Sequence, residues 1–409
     1  MTPPPAVALQ TSPAPRHYAL FVCFIAIIGA FSSLVNDMYL PTIPAMRHEF
    51  HTTPSMTQLG LSMAMIGMGI GSVIWGSLSD SYGRKRILVI SLIIFAVSTL
   101  AAIFSPTIQY FISLRLIQGL GAGGAMVLST SIPADIYAGR QLGKLMGLVG
   151  AINGVAPAAG PLIGGLMADS AGWRGIFILL LAIGIIMTLW SLHYKETLPP
   201  QRRLASKGLR SYIHSYRILL CNGRFMIYVL IKGLGIAVLY AYISSGPFIL
   251  QDHYHFSALL FGVIFGLNAL ALAAGAMLAP HFRIMKNAMV GASIALFVFA
   301  AAFGIVIWLG LPFLYYELTG APMLFCLGVI FSSSNTLAMD VGRSEAGTAS
   351  AILGIVKYIL ASVVAPICGM GNLMHSSAIA ISATAFLALT MAFFAARLSP
   401  LPDMVKPKH

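Results

Sequence analysis

Charge is what this chain has least of. Of its 409 residues, 9% are charged, against about a quarter in soluble domains. Acids are scarcest: eleven Asp and Glu stand against 24 Lys and Arg. So few charges cannot coat a water-exposed surface, which excludes a soluble domain and, with it, a basic face for nucleic acid. Cysteine is nearly absent. Cys23, Cys221, Cys326 and Cys368 are far apart, which excludes a disulfide framework and a zinc cluster. The stretch "DHYHF" (252–256) reads as a wet loop and not as a metal site, so no metal ligand is expected. No Gly-rich Lys-Ser/Thr phosphate loop, Gly-x-Ser-x-Gly or His-Glu-x-x-His occurs, so neither ATP-driven work nor hydrolysis has a motif. Nothing points to an enzyme.

What is abundant is apolar sequence: 58% of residues are hydrophobic and mean hydropathy is +0.88. Twelve apolar runs are read near 18–40, 55–76, 86–104, 107–134, 143–168, 174–193, 224–249, 257–279, 287–309, 312–338, 346–369 and 375–397. Each is long enough to cross a hydrocarbon core of about 30 Å as a helix. Their continuous hydrophobicity, without alternation, excludes a barrel. The expected fold is therefore an all-α integral membrane protein of twelve transmembrane helices in two six-helix halves. Residues 1–17 form a proline-rich, disordered cytoplasmic head, 18–193 the first half, 194–223 a basic linker, 224–397 the second half and 398–409 a tail. Such halves suggest a transporter built from repeats, with its site at their interface.

With both termini cytoplasmic, only Arg47 and Arg174 fall outside and Arg115, Lys232 and Lys357 fall within spans; the other Lys and Arg lie on the cytoplasmic side. That bias is the positive-inside rule, and it accounts for the net charge of +13.

Four stretches carry chemistry. "GSLSDSYGRKRIL" (76–88) sits between spans 2 and 3; Gly76 and Gly83 permit a tight turn, and Asp80 is an acid among the cations Arg84, Lys85 and Arg86. "LRLIQGLGAGGA" (114–125) puts Arg115 about 12 Å into span 4, with Gln118 on its face. A charge at that depth is a functional hypothesis by default. Gly119, Gly121 and Gly124 formally match a dinucleotide fingerprint, but no strand precedes them, and small-residue helix packing explains them. In span 5, Gly150, Gly154, Pro157, Pro161, Gly164 and Ala168 are spaced 4, 3, 4, 3, 4, a continuous stripe that lets a neighbouring helix approach closely. Gly160 and Gly165 lie beside it. Finally, "NDMYLPTIP" (36–44) closes span 1; Asp37 is that span's only acid, with Asn36 beside it and Ser33 one turn back.

These stretches resemble the major facilitator superfamily. The 76–85 pattern looks like its signature loop, in which the acid serves an inter-helix latch, capping a helix N-terminus and pairing with arginine. The Arg115 stretch resembles the span-4 motif of proton-coupled members, and "GVAPAAGPLIGG" resembles the antiporter motif of exporters. "NDMYLPTIP", "ISSGPFIL" (243–250), "FGLNA" (265–269), "AGTASAILG" (346–354) and "KETLPP" (195–200) look like the bicyclomycin/chloramphenicol-resistance subgroup. A related branch carries a second span-1 acid where this chain has Gly29, and "PHFRIMKN" is a degenerate loop between spans 8 and 9. The resemblance implies a monomeric proton-coupled multidrug exporter of the bacterial inner membrane. It would have no cofactor, be driven by the proton gradient, couple through Asp37 and Arg115, and carry small neutral, zwitterionic or monocationic drugs. An exporter of a metabolite on the same machinery is the alternative.

Tyr240, Tyr242, Asn268 and Asn335 are polar spots that line a cavity in this reading. Lys357 is either a substrate-site or coupling charge or a partner of a helix carbonyl. Lys232 is expected to snorkel to the cytoplasmic surface, and Glu317 to be interfacial.

Overall fold

Without water in the bilayer core, a spanning segment must satisfy its own backbone, and a helix does so within itself. The computed structural model describes residues 18–137, 139–198 and 216–398, and the long elements among them are all helices. They are α1 (Tyr18–Asp37), α2 (Ile43–Glu49), α3 (Pro54–Tyr82), α4 (Arg84–Ile103) and α5 (Ile108–Ile136). The run Gly139–His193 follows. It breaks at Gly172, whose φ of 58° and ψ of −167° no helix contains, giving α6 over 139–171 and α7 over 173–193. Then come α8 (Gly223–Phe248), α9 (Ala258–Leu278), α10 (Met285–Leu309), α11 (Phe313–Val341), α12 (Ala346–Cys368) and α13 (Leu373–Arg397). The head 1–17, part of the linker and residues 399–409 lie outside the described residues.

Local chemistry sets the ends. Thr107, Asn222, Ser257 and Asn372 each accept a bond from a first-turn amide of α5, α8, α9 and α13, closing donors that the helix leaves open. Pro41 and Pro44 follow the end of α1.

Among the described residues ten helices are long and apolar enough to cross a bilayer, and the bent pair Tyr18–Phe31 and Ser33–Glu49 makes eleven. One of the ten, Ala156–His193, contains the Gly172 break, which falls between the runs read as spans 5 and 6. Outward faces are apolar: Val97 and Leu267 are each 62% exposed and Phe104 76%, a surface suited to lipid.

The chain groups into two compact units, one from Met1–Leu40 and Met63–Ser206, the other from Pro41–Ser62 and Lys207–His409. Their internal packing repeats. In the first, α1 packs on α5 and on the run 139–193, and α4 packs on the same two. In the second, α8 packs on α11 and α12, while α10 packs on α11 and α13. In the second unit the segment 41–62 is tied down by Arg47 to Asp252 (3.4 Å), Gln58 to the Ser244 carbonyl (2.9 Å) and Ser55 to the Pro366 carbonyl (2.9 Å).

Glycine allows the closest approaches. A Cβ at Gly119 of α5 would collide with the Ala64 carbonyl of α3, and one at Gly123 would crowd Met68. Gly121 and Gly124 face Ser91 of α4 in the same way. The apparent dinucleotide fingerprint is thus two glycine faces packed on two helices. In the second unit, Gly275 of α9 meets the Phe325 carbonyl, and Gly328 of α11 meets that of Leu272. Gly119→Ala is expected to cost about 1–3 kcal/mol through overpacking. It should lower the melting temperature of the detergent-solubilised protein by several degrees. Gly143→Ala, with nothing within 4 Å of the new methyl, should leave it unchanged or raise it.

Candidate transport site

The centre of the first unit is a buried guanidinium. Arg115 of α5 is 0% exposed. Its Nη1 donates to the Val35 carbonyl (3.2 Å) and to Gln118 Oε1 (2.5 Å), and its Nη2 donates to Asn36 Oδ1 (3.2 Å). The group also lies over the Tyr39 ring, 4.5 Å from its centroid, and 5.7 Å from that of Phe177. Gln118 is fixed in turn, its Nε2 donating to Thr99 Oγ1 at 2.8 Å, and Asn36 Nδ2 donates to the Met68 sulfur at 3.5 Å. The guanidinium therefore binds the chain on both sides of Asp37, through Val35, Asn36 and Tyr39.

Asp37 is 8% exposed, at the last residue of α1. The glycine-proline helix packs directly behind it. A Cβ at Gly160 of α6 would stand 3.1 Å from Asp37 Cβ and 3.4 Å from the Met38 amide nitrogen. Pro157 and Pro161 lie within that helix, and Pro161, Gly164 and Gly165 are buried. Gly150 and Gly154 belong to the same helix, and their surroundings lie outside the described residues. Ser33 is half-buried on α1. Asp37, Asn36, Arg115, Gln118 and Gly160 thus gather in one place.

The 76–88 loop forms a second cluster. Gly83 takes a φ of 100°, which separates α3 from α4. Arg84 pairs with Asp80 (2.6 Å) and with Asp135 of α5 (3.0 Å), and its Nη1 also donates to Ser79 Oγ at 2.6 Å. The carboxylate at a helix N-terminus here is Glu196, which accepts from the amides of Arg84 (2.9 Å) and Lys85 (3.3 Å) at the start of α4. Lys85 Nζ donates to the Leu192 carbonyl at 2.6 Å. Asp80 takes the arginine of the expected latch, and Glu196 takes the capping role within this unit. A Cβ at Gly76 would make only an ordinary contact with Val127. Asp135 and Glu196 were not legible as partners, being 51 and 112 residues from Arg84.

The second unit holds two polar groups. Asn268 Nδ2 of α9 donates to the Tyr242 hydroxyl (2.8 Å) and to Glu317 Oε1 (3.1 Å). Glu317 is half-buried in this cluster and not simply interfacial. Separately, Lys232 Nζ donates to Asn335 Oδ1 at 2.7 Å. The Lys232 ammonium is thus bound by an amide of α11. Tyr240 is half-buried on α8. Among the described residues no three His, Cys, Asp or Glu side chains gather as a metal site, and Asp252 of "DHYHF" pairs with Arg47.

Two repeated helical units with buried ionisable groups inside define a polytopic membrane transporter and not an enzyme. The Major Facilitator Superfamily family model matches residues 25–366, and the chain belongs to that superfamily. It is 33% identical over 393 residues to the uncharacterised MFS-type transporter YdgK of Bacillus subtilis, covering 91% of this chain and 95% of that one. It is 26% identical to a bicyclomycin resistance protein homolog of Haemophilus influenzae, covering 87% and 89%, and 24% identical to multidrug resistance protein D of Escherichia coli, also covering 87% and 89%. Among solved structures it superposes on the nucleoside transporter NupG with a TM-score of 0.74 at 15% identity, covering 92% and 98%. The xylose transporter XylE of E. coli gives 0.68 at 17%, covering 93% and 98%. These two likenesses establish the fold.

The contact between Gly160 and Asp37 yields a test. Gly160→Val is expected to displace Asp37 and lower transport at least about tenfold, on the scale of 1–3 kcal/mol for overpacking. Gly147→Val, where nothing lies within 4 Å, should transport normally. Vesicle uptake normalised to inserted protein measures both.

Proposed function

We propose that the protein is a proton-coupled multidrug exporter of the bacterial inner membrane, with both termini cytoplasmic, working as a monomer by alternating access. One observation carries the coupling site: the only acid of α1, Asp37, is nearly buried between an arginine-centred cluster and the glycine-proline helix. A cation near a carboxylate favours its charged form, and desolvation opposes it. A carboxylate placed between those influences can take a proton from outside and release it inside. The names of the relatives, bicyclomycin and multidrug resistance proteins, support a drug as the cargo moving the other way. The exchange needs no cofactor, since the proton gradient drives it.

Charge accounting narrows the cargo. Asp37 cannot hold the coupling proton and pair with a drug cation at once. Each unit also carries cations inside it, Arg115 in the first and Lys232 and Lys357 in the second, and like charges repel strongly where the dielectric is low. The cargo is therefore neutral, zwitterionic or monocationic.

Two measurements test this reading. Asp37→Asn should still bind substrate but lose uphill transport, and full drug resistance in cells carrying that variant would overturn the coupling assignment. With one proton exchanged, export of a neutral drug moves one net charge, about 2.3 kcal/mol per 100 mV, and export of a monocation moves none. In vesicles clamped with potassium and valinomycin at fixed pH gradient, neutral-drug export should follow the potential and monocation export should not. Equal voltage dependence for both would show that a second acid takes part.

A further inference from the structure

Lys232, Asn335 and Lys357 come from α8, α11 and α12, all in the second unit. Each lies well inside its helix. At 1.5 Å per residue, Lys232 is about 14 Å from the start of α8, Lys357 about 16 Å from the start of α12 and Asn335 about 9 Å from the end of α11. The two lysine-bearing helices meet beside both residues: a Cβ at Gly233 would stand 2.7 Å from Leu360 and 2.8 Å from Val356.

Among the described residues the lysines' partners are neutral. Lys232 donates to the Asn335 amide oxygen at 2.7 Å, and Lys357 Nζ stands 5.1 Å from the centroid of the Tyr358 ring. The helices around them offer no anion. The sequences of α8, α9, α10, α12 and α13 contain no Asp or Glu. α11 has two. Asp340 accepts from Arg343 at 3.1 Å, and Glu317 accepts from Asn268. Glu317 is also 18 residues from Asn335, about 27 Å along the helix. Among the described residues neither lysine forms an ion pair. Two half-buried cations in an apolar bundle, sharing one amide oxygen and one ring face, leave the unit short of negative charge at this depth.

We propose that Lys232 and Lys357 form an anion-recognition point that takes the carboxylate of an amphiphilic cargo, so that the preferred substrates are zwitterions with an apolar body. The proposal rests on the export reading and narrows its substrate class. The chemistry suits a carboxylate. Lys232 keeps two N–H donors after serving Asn335, Lys357 has three, and two carboxylate oxygens can bridge two ammonium groups.

A matched dye pair isolates the carboxylate. Rhodamine 110 carries a free carboxylate, and rhodamine 123 is its methyl ester. Binding of each to the full-length protein in nanodiscs is read by fluorescence polarisation, and transport in proteoliposomes by dye accumulation. The wild type should bind rhodamine 110 roughly tenfold more tightly than rhodamine 123, the scale of one charge-assisted bond. The double variant Lys232→Gln, Lys357→Gln should lose that preference by weakening rhodamine 110, while the monocation rhodamine 123 binds at least as tightly as before, and Lys357→Arg should retain the preference. Rhodamine 123 binding that is not weakened reports that the variants are folded. The single variant Lys357→Gln gives the same readout if the double one does not insert. A wild type that takes both dyes equally, or a preference that survives both Gln substitutions, overturns the lysine assignment alone. A wild type that neither binds nor transports either dye overturns the export reading, and the lysine assignment falls with it.

Discussion

A guanidinium with no access to water sets the terms for the first unit. Arg115 cannot shed its charge, so every donor it carries needs an answer in a region where an unanswered donor is costly. Val35, Asn36 and Gln118 give that answer, and the Tyr39 ring gives a face. The consequence reaches beyond stability. Val35 and Asn36 belong to the end of α1 and Tyr39 follows it by two residues, so satisfying one charge fixes the backbone on either side of Asp37. The carboxylate is held in place by its neighbours' bonds, and Gly160 presses from behind with no side chain to push it away.

The same economy of space governs the helix contacts. In a bilayer, lipid tails are as apolar as leucine, so helices associate through close packing and not through hydrophobic exclusion. Glycine brings the backbones of α3 and α5 together in one unit, and of α9 and α11 in the other. That pairing, together with the matching partners of α1 and α8, makes the two units variations on one six-helix plan. A plan that relies on backbone-to-backbone contact leaves little room for side-chain compensation. A single methyl at Gly119 is therefore felt, whereas one at Gly143 is not.

Much of this was legible in the sequence, for a definite reason. Hydropathy reports burial in lipid directly, so the helices were readable from long apolar runs. Spacing reports faces, so the glycines after Arg115 could be read as a packing surface. Asp37, Asn36, Arg115 and Gln118 stood out because polar groups in apolar runs are conspicuous. What spacing cannot report is a partner on another helix. Glu196 caps α4 from more than a hundred residues away, and nothing local marks it beyond an acid in a basic stretch. The amide that Lys232 meets is of the same kind: Asn335 lies on another helix, 103 residues away.

Once partners are known, the charges divide unevenly. The first unit holds its deep arginine together with Asp37 at the end of α1. The second holds two lysines with no acid on the helices that carry them, while Glu317 is spent on Asn268 far along α11. A protein that only needed to be stable would have little use for such lysines, since apolar residues of similar size would pack there without the desolvation penalty. In a transporter the imbalance has a use. A site that lacks one negative charge favours a ligand that brings it, and because the charge arrives with the cargo, the empty site has a different net charge from the loaded one. Asp37 and the two lysines belong to separate units, and under the reading proposed above proton exchange and cargo recognition would then fall to different groups, neither serving both roles at once.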